Sequence, residues 1–194
     1  MAKIKIDKEK LDKLSPEDAI PLFLRIRRFI LGKNKPDGFT RLIYTINFTG
    51  WFLLMAWNLI SYIVVQMAPV IYENKGLSVN AILRQKGREL GFDGEQFLQA
   101  ITDYYFLSIF VWIFIFIGLA LMYRKSRFYA TFYFGGFVVH FTSMLLMIGF
   151  QYFLEDISLF DKIVYGIMLV TALIHFTLMM KEKNQTFETT PKSS

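Results

Sequence analysis

The sequence predicts an all-α, polytopic membrane protein, a four-transmembrane-helix bundle with an N-terminal amphipathic interfacial helix and a helical outer loop. Three observations carry that expectation. First, 54% of the 194 residues are hydrophobic and only 20% are charged, with a mean hydropathy of +0.38, which excludes a disordered chain or an ordinary water-soluble domain. Second, the charges are clustered, leaving uncharged stretches over 42–72, 104–123, 128–154 and 163–180, of 31, 20, 27 and 18 residues. A helix rises ~1.5 Å per residue and a bilayer core is ~30 Å thick, so each stretch crosses or nearly crosses a membrane. Third, Lys and Arg divide unevenly among the segments between these stretches. Residues 1–41 hold eleven, the 124–127 turn adds Arg124, Lys125 and Arg127, and the tail adds Lys181, Lys183 and Lys192. By contrast, 73–103 carries four basic against five acidic residues, and in 155–162 Lys162 faces Glu155, Asp156 and Asp161. The positive-inside rule then puts both termini in the cytoplasm and the 73–103 and 155–162 connections outside. The net charge of +6 reads as this signature and not as a nucleic-acid footprint.

The organisation follows in order: a cytoplasmic basic arm and interfacial helix (1–41), a membrane domain (42–181) and a cytoplasmic tail (182–194). Residues 1–14 are Lys-rich with few apolar groups to pack, and the alternation of Lys with acids up to Arg41 predicts no cleavable secretory signal. Ser15-Pro16-Glu17-Asp18 supplies a capping hydroxyl, a proline at the first helical position and acids in the first turn. In the helix that starts there, Phe23, Ile26, Phe29 and Ile30 share an apolar face while Arg25, Arg27 and Arg28 point elsewhere, the pattern of a helix lying on a headgroup plane or on a partner protein.

Span one (42–72) is longer than a bilayer core requires, and Pro69 is expected to kink or end it. Asn47, Asn58 and Ser61 fall on one stripe that should face protein, since an amide facing lipid is costly. In the outer loop, Ser78 is expected to cap a short helix, and Asp93 followed by Gln96 to cap another that runs into span two. Span two (104–123) is Ile- and Phe-rich, with tyrosines at both ends suited to the two interfaces, and is expected to face lipid. Span three (128–154) carries a second polar stripe of Gly136, His140, Ser143, Met147 and Gln151, and span four (163–180) a third with Gly166, Thr171 and His175.

Counting ~1.5 Å per residue from the cytoplasmic boundary matches Asn47 with His175 at ~9 Å depth, and Asn58 with Ser143 at ~25 Å. The expectation is therefore that His175 bonds or packs beside Asn47, and that Asn47, Asn58, Ser61, Gly136, Ser143, Gln151 and Thr171 are buried polar or packing residues. His140 and His175 are the candidate cofactor-binding pair, as ligands of a b-type haem or as a quinone site. Counting puts them ~20 Å and ~9 Å deep, which disfavours one shared haem, so no cofactor is expected.

The remaining chemistry is narrowed by inventory. Cysteine is absent, removing disulfides, iron–sulfur clusters, thiolate zinc sites and thiol nucleophiles. No span holds a carboxylate or lysine, the usual ion-coupling groups of carriers. No metal-binding cluster, phosphate loop or catalytic carboxylate pair is visible. The expected role is a non-catalytic subunit of a larger membrane complex, in contact with the lipid bilayer and other membrane subunits, in a bacterial inner membrane. The alternatives are a redox subunit binding haem or quinone near His140 or His175, and an oligomeric pore or carrier lined by Asn47, Asn58, His140 and Gln151.

Overall fold

The computed structural model describes residues 22–32 and 35–188, and the chain divides into two units, residues 1–35 and 36–194. The first unit contains α1 (Leu22–Leu31), which ends where Gly32, at φ +84°, donates its N–H to the Arg28 carbonyl. Arg25, Arg27 and Arg28 are exposed on α1, and so are Ile26 and Phe29. The Ser15–Asp18 cap, the 1–14 arm, the Phe23 side chain and the 189–194 tail lie outside the described residues.

The second unit is built from α2 (Gly38–Gln66), α3 (Ala68–Lys75), α4 (Val79–Glu89), α5 (Gly94–Tyr123), α6 (Tyr129–Met147), α7 (Phe150–Glu155) and α8 (Leu159–Glu188). Among the described residues four helices are long and apolar enough to cross a membrane: α2, α5, α6 and residues 159–182 of α8. The protein is an all-helical four-helix membrane bundle. One end of the bundle carries residue 38, the 124–128 turn and residue 181, and is called the terminal end below; the other is the loop end.

Local chemistry sets the boundaries. Asp37 caps α2 by accepting the Thr40 N–H (3.0 Å). At the loop end Pro69 sits in the first turn of α3, where a missing N–H costs nothing, and α2 stops at Gln66 instead of running to 72. Ser78 caps α4 through the Ala81 N–H, and Asp93 caps α5 through those of Glu95 and Gln96. Helix α4 lies against α5 with Gly87 on Phe97, where a Cβ would fall 2.5 Å from the Phe97 Cβ. The Arg84–Glu95 ion pair (2.7 Å) ties the same two helices.

Two expectations are corrected here. Span two is not the most lipid-facing of the four: α5 is the most buried span, in contact with α2, α4 and α6, and Trp112, Ile115, Leu119 and Met122 on it are at most 1% exposed, although Phe106, Phe110 and Ile113 on its other face are exposed. Its terminal tyrosines Tyr104 and Tyr123 are buried as well. The approach of α5 to α6 is close because Gly118 lies against the Tyr133 backbone and Gly136 against Ile115. An apolar surface suits a protein neighbour as well as a lipid tail, so composition does not distinguish the two. Span three, expected to run from 128 to 154, stops at Met147 because Gly149 adopts φ +97° and starts the separate helix α7.

At the terminal end, Lys125 in the turn between α5 and α6 pairs with Asp37 (2.7 Å) and with Glu182 on α8 (3.5 Å). The Lys125 ammonium holds the Asp37 carboxyl well below the usual carboxylate range, and Asp37 in turn raises the Lys125 amine.

Candidate functional site: polar layers and a loop-end cavity

The buried polar residues fall into three layers along the bundle axis. In the first, at the terminal end, the His175 imidazole is 2% exposed and is held from both sides. Its Nε2 lies 3.1 Å from the Thr40 hydroxyl and its Nδ1 3.1 Å from that of Tyr129. Thr40 passes its own proton to Asp37 (2.7 Å), and Tyr129 donates to the Ala172 carbonyl (3.0 Å). The layer therefore connects the Lys125 ion pair to α2, α6 and α8.

One turn deeper, Asn47 is fully buried and donates to Ile43 O and Thr171 Oγ1, both at 2.9 Å, while the Tyr133 hydroxyl donates to its side-chain oxygen. Every polar atom of this amide is satisfied. His175 and Asn47 thus do not bond each other. Their antiparallel register pairs 47 with 171 and 40 with 175, a single helical turn away from the depth match expected by counting.

The third layer surrounds His140. Its Nε2 lies 2.9 Å from the Tyr165 hydroxyl and 3.4 Å from that of Tyr104, and the ring centroid is 5.0 Å from that of Trp112. Asn58 donates to the Tyr105 carbonyl (3.2 Å) and accepts from Ser108. Asn58 was expected at the depth of Ser143 on α6; its partners lie on α5 because that helix, not α6, is the close neighbour of α2 here. Ser143 is half-buried, Gly136 is buried against Ile115, and Gln151 is exposed and donates to Glu155 (2.8 Å). The break at Gly149 carries Gln151 off the His140 stripe. Asn47, Asn58, His140 and Gln151 therefore do not line one lumen.

A cavity of about 220 Å³ opens beside this third layer. Leu54, Asn58 and Ser61 of α2, His140 of α6 and Asp161 of α8 line it, with Asp156 from the connection between α7 and α8. Six aromatic side chains complete the wall: Trp57, Tyr104, Tyr105, Trp112, Tyr152 and Tyr165. Trp57 is 65% exposed, so the cavity reaches the outer surface of α2. Asp156 is paired with Lys86 (3.0 Å), and its carboxylate pushes the Lys86 amine up. His140 and Trp112, which both line the cavity, each hold a buried nitrogen with no hydrogen-bond partner among the described residues, His140 Nδ1 and Trp112 Nε1.

The two histidines do not converge. His140 bonds Tyr165, and His175 lies ten residues further along the same helix, ~15 Å away. Two imidazoles of one haem iron must face each other across it, so these two cannot share one. Among the described residues no group of three His, Asp or Glu side chains is placed to hold a metal ion.

Reading the polar positions as helical stripes found His140, His175, Asn47, Asn58 and Thr171. It missed Tyr129, Tyr133 and Tyr165, which supply the hydroxyls in all three layers. The signal was present: Tyr129, Tyr133, Gly136, Phe137, His140 and Met144 step by three or four and are all buried. No protein-family model matches the chain, and no curated protein sequence or solved structure matches it.

Proposed function

We propose that the protein is a non-catalytic integral membrane subunit that binds a small molecule at the His140 cavity, within a larger membrane assembly. The observation that carries this reading is a space of about 220 Å³ lined by polar and aromatic side chains of four helices, two of which, His140 and Trp112, also hold a buried nitrogen without a partner among the described residues. A buried polar atom without a partner costs on the order of 1–3 kcal/mol, so such atoms are normally met by a ligand or by ordered water. The volume corresponds to about seven waters at ~30 Å³ each, the size of a small organic molecule.

The distribution of Lys and Arg supports an orientation with both termini in the cytoplasm, in which the cavity faces outward, and the membrane proposed is a bacterial inner membrane. The arginines of α1, set against Ile26 and Phe29, support contact of that helix with an anionic lipid surface or a neighbouring subunit. The redox alternative is a quinone or a haem held by a single histidine, since the two histidines stand too far apart to share one iron.

Extraction into lipid nanodiscs followed by native mass spectrometry tests the reading. The expected spectrum shows an adduct of a few hundred daltons or less, lost in Trp112→Phe, together with co-purifying membrane proteins. An adduct-free spectrum, with nothing recovered on solvent extraction, would refute the binding site. A Soret band in the visible spectrum would favour the redox alternative.

A further inference from the structure

We propose that the ligand of the His140 cavity is a small organic cation bearing a hydrogen-bond acceptor, held by an aromatic box with the Asp161 carboxylate at its mouth. The inference rests on the small-molecule reading above and adds the chemical class. Three features of the wall point to it.

The first is charge. Asp156 and Asp161 line the cavity and no lysine or arginine does. The Asp156 charge is offset by Lys86 at 3.0 Å, whereas Asp161 is held by the Ser158 hydroxyl (2.8 Å), a neutral partner. The adjacent Lys162 turns away, donating to the Leu154 carbonyl (2.8 Å) and lying 5.4 Å over the Phe153 ring. One formal negative charge therefore remains at the mouth, which favours a cation and disfavours an anion.

The second is the six-ring aromatic wall. Ring faces are electron-rich, and Trp and Tyr are the side chains on which ammonium groups bind best. A box of this kind accepts a bulky, weakly hydrated cation that a carboxylate alone would not select. The third is the deep end. Trp112 Nε1 is a donor only, and it is unpartnered. If the Tyr165 phenol donates to His140 Nε2, His140 Nδ1 is protonated and is a second unpartnered donor. A hydroxyl or carbonyl oxygen on the ligand is the acceptor that would satisfy these donors where their side chains meet the cavity.

Calorimetric titration of the full chain in nanodiscs tests this with three probes: choline, its uncharged carbon isostere 3,3-dimethylbutan-1-ol, and a short-chain benzoquinone. The expected result is saturable binding of choline, about tenfold weaker binding of the isostere, and a loss of about fivefold or more in choline affinity in Asp161→Asn with the isostere unaffected. Trp57→Leu, at an exposed position, should weaken choline in the same way and provides a second variant. Equal or tighter binding of the isostere or the benzoquinone would overturn the cation class while leaving a small-molecule site in place. An unchanged choline affinity in both variants would also overturn it. No saturable binding by any probe, together with an adduct-free native mass spectrum, would overturn both readings.

Discussion

The packing of α5 on α6 makes a prediction that two chemically identical substitutions can check. Gly118→Ala places a Cβ 2.6 Å from the Tyr133 backbone nitrogen and 2.8 Å from its Cα and Cβ. Carbon contacts are comfortable at about 3.5–4.0 Å, so the helices must separate by about 1 Å at this point. The obstacle is backbone, and no rotamer change relieves it. Overpacking of this kind costs about 1–3 kcal/mol, partly offset by the ~1 kcal/mol helix preference of Ala over Gly. The net loss, about 1 kcal/mol at the centre of a range of about 0–2 kcal/mol, corresponds to a fall in melting temperature of about 2–4 °C for a chain of this size. Gly135→Ala makes the same change on the partner helix, where nothing lies within 4 Å. There the helix preference acts alone, and the melting temperature should hold or rise by up to about 4 °C. Thermal unfolding in mild detergent, followed by tryptophan fluorescence, reads both. Equal shifts of the same sign, or an unperturbed Gly118→Ala, would refute the close α5–α6 approach.

Three further outcomes are expected. Asn47→Leu removes the bonds to Thr171 and Tyr133 at roughly 0.6–1.7 kcal/mol each, and a double-mutant cycle with Thr171→Val should return a coupling of about 0.6 kcal/mol or more; zero coupling would contradict the bond. Asp37→Asn keeps an amide oxygen for the α2 cap but loses the pair with Lys125, and because both side chains are more than a third exposed, solvent screening limits the effect to about 0.2–1 kcal/mol. The Asp37 carboxyl is depressed, so its contribution is present above the ordinary value of 3.8 and lost as pH falls through the folded value; the Lys125 amine is raised, so its contribution is present below 10.5 and lost as pH rises beyond that. Melting temperatures of wild type and variant should therefore differ near neutral pH and converge in strong acid and strong base. Finally, Gly149→Ala forces a side chain into φ +97° and to 2.8 Å from the Phe92 ring, a cost of about 1–3 kcal/mol; limited proteolysis should show faster cleavage near residue 149, and an unchanged digest would count against the break.

What was legible in the sequence is what depends on near neighbours. Ser78 and Asp93 cap the helices they precede because a capping bond spans only two or three residues. The four spans follow from length and apolar composition, which a bilayer constrains directly. The neighbours of each span were not legible. Helix α5 has the most apolar window and the least polar pattern, yet it is the hub, because the glycines that let it approach α6 are read only once the partner face is known. The tyrosines at the ends of span two were assigned to the membrane surfaces by type, yet Tyr104 and Tyr123 are buried, and Tyr129, Tyr133 and Tyr165, not singled out at all, reach inward to carbonyls, an amide and a histidine. For the candidate site, the stripe rule identified His140 and Asn58, but a cavity is a property of four elements together. Asp156 and Asp161 were read as loop charges, and nothing local linked them to a residue 16 or more positions away on another helix.

The satisfied amide of Asn47 also bears on how the chain is made. Its two side-chain partners on other helices, Tyr133 and Thr171, lie 86 and 124 residues downstream, so the first membrane helix is made with a carboxamide that meets only its own Ile43 carbonyl until the later spans follow. A chain that lacks the final helix leaves this amide without its Thr171 acceptor, so full satisfaction of the layer comes only with the last span.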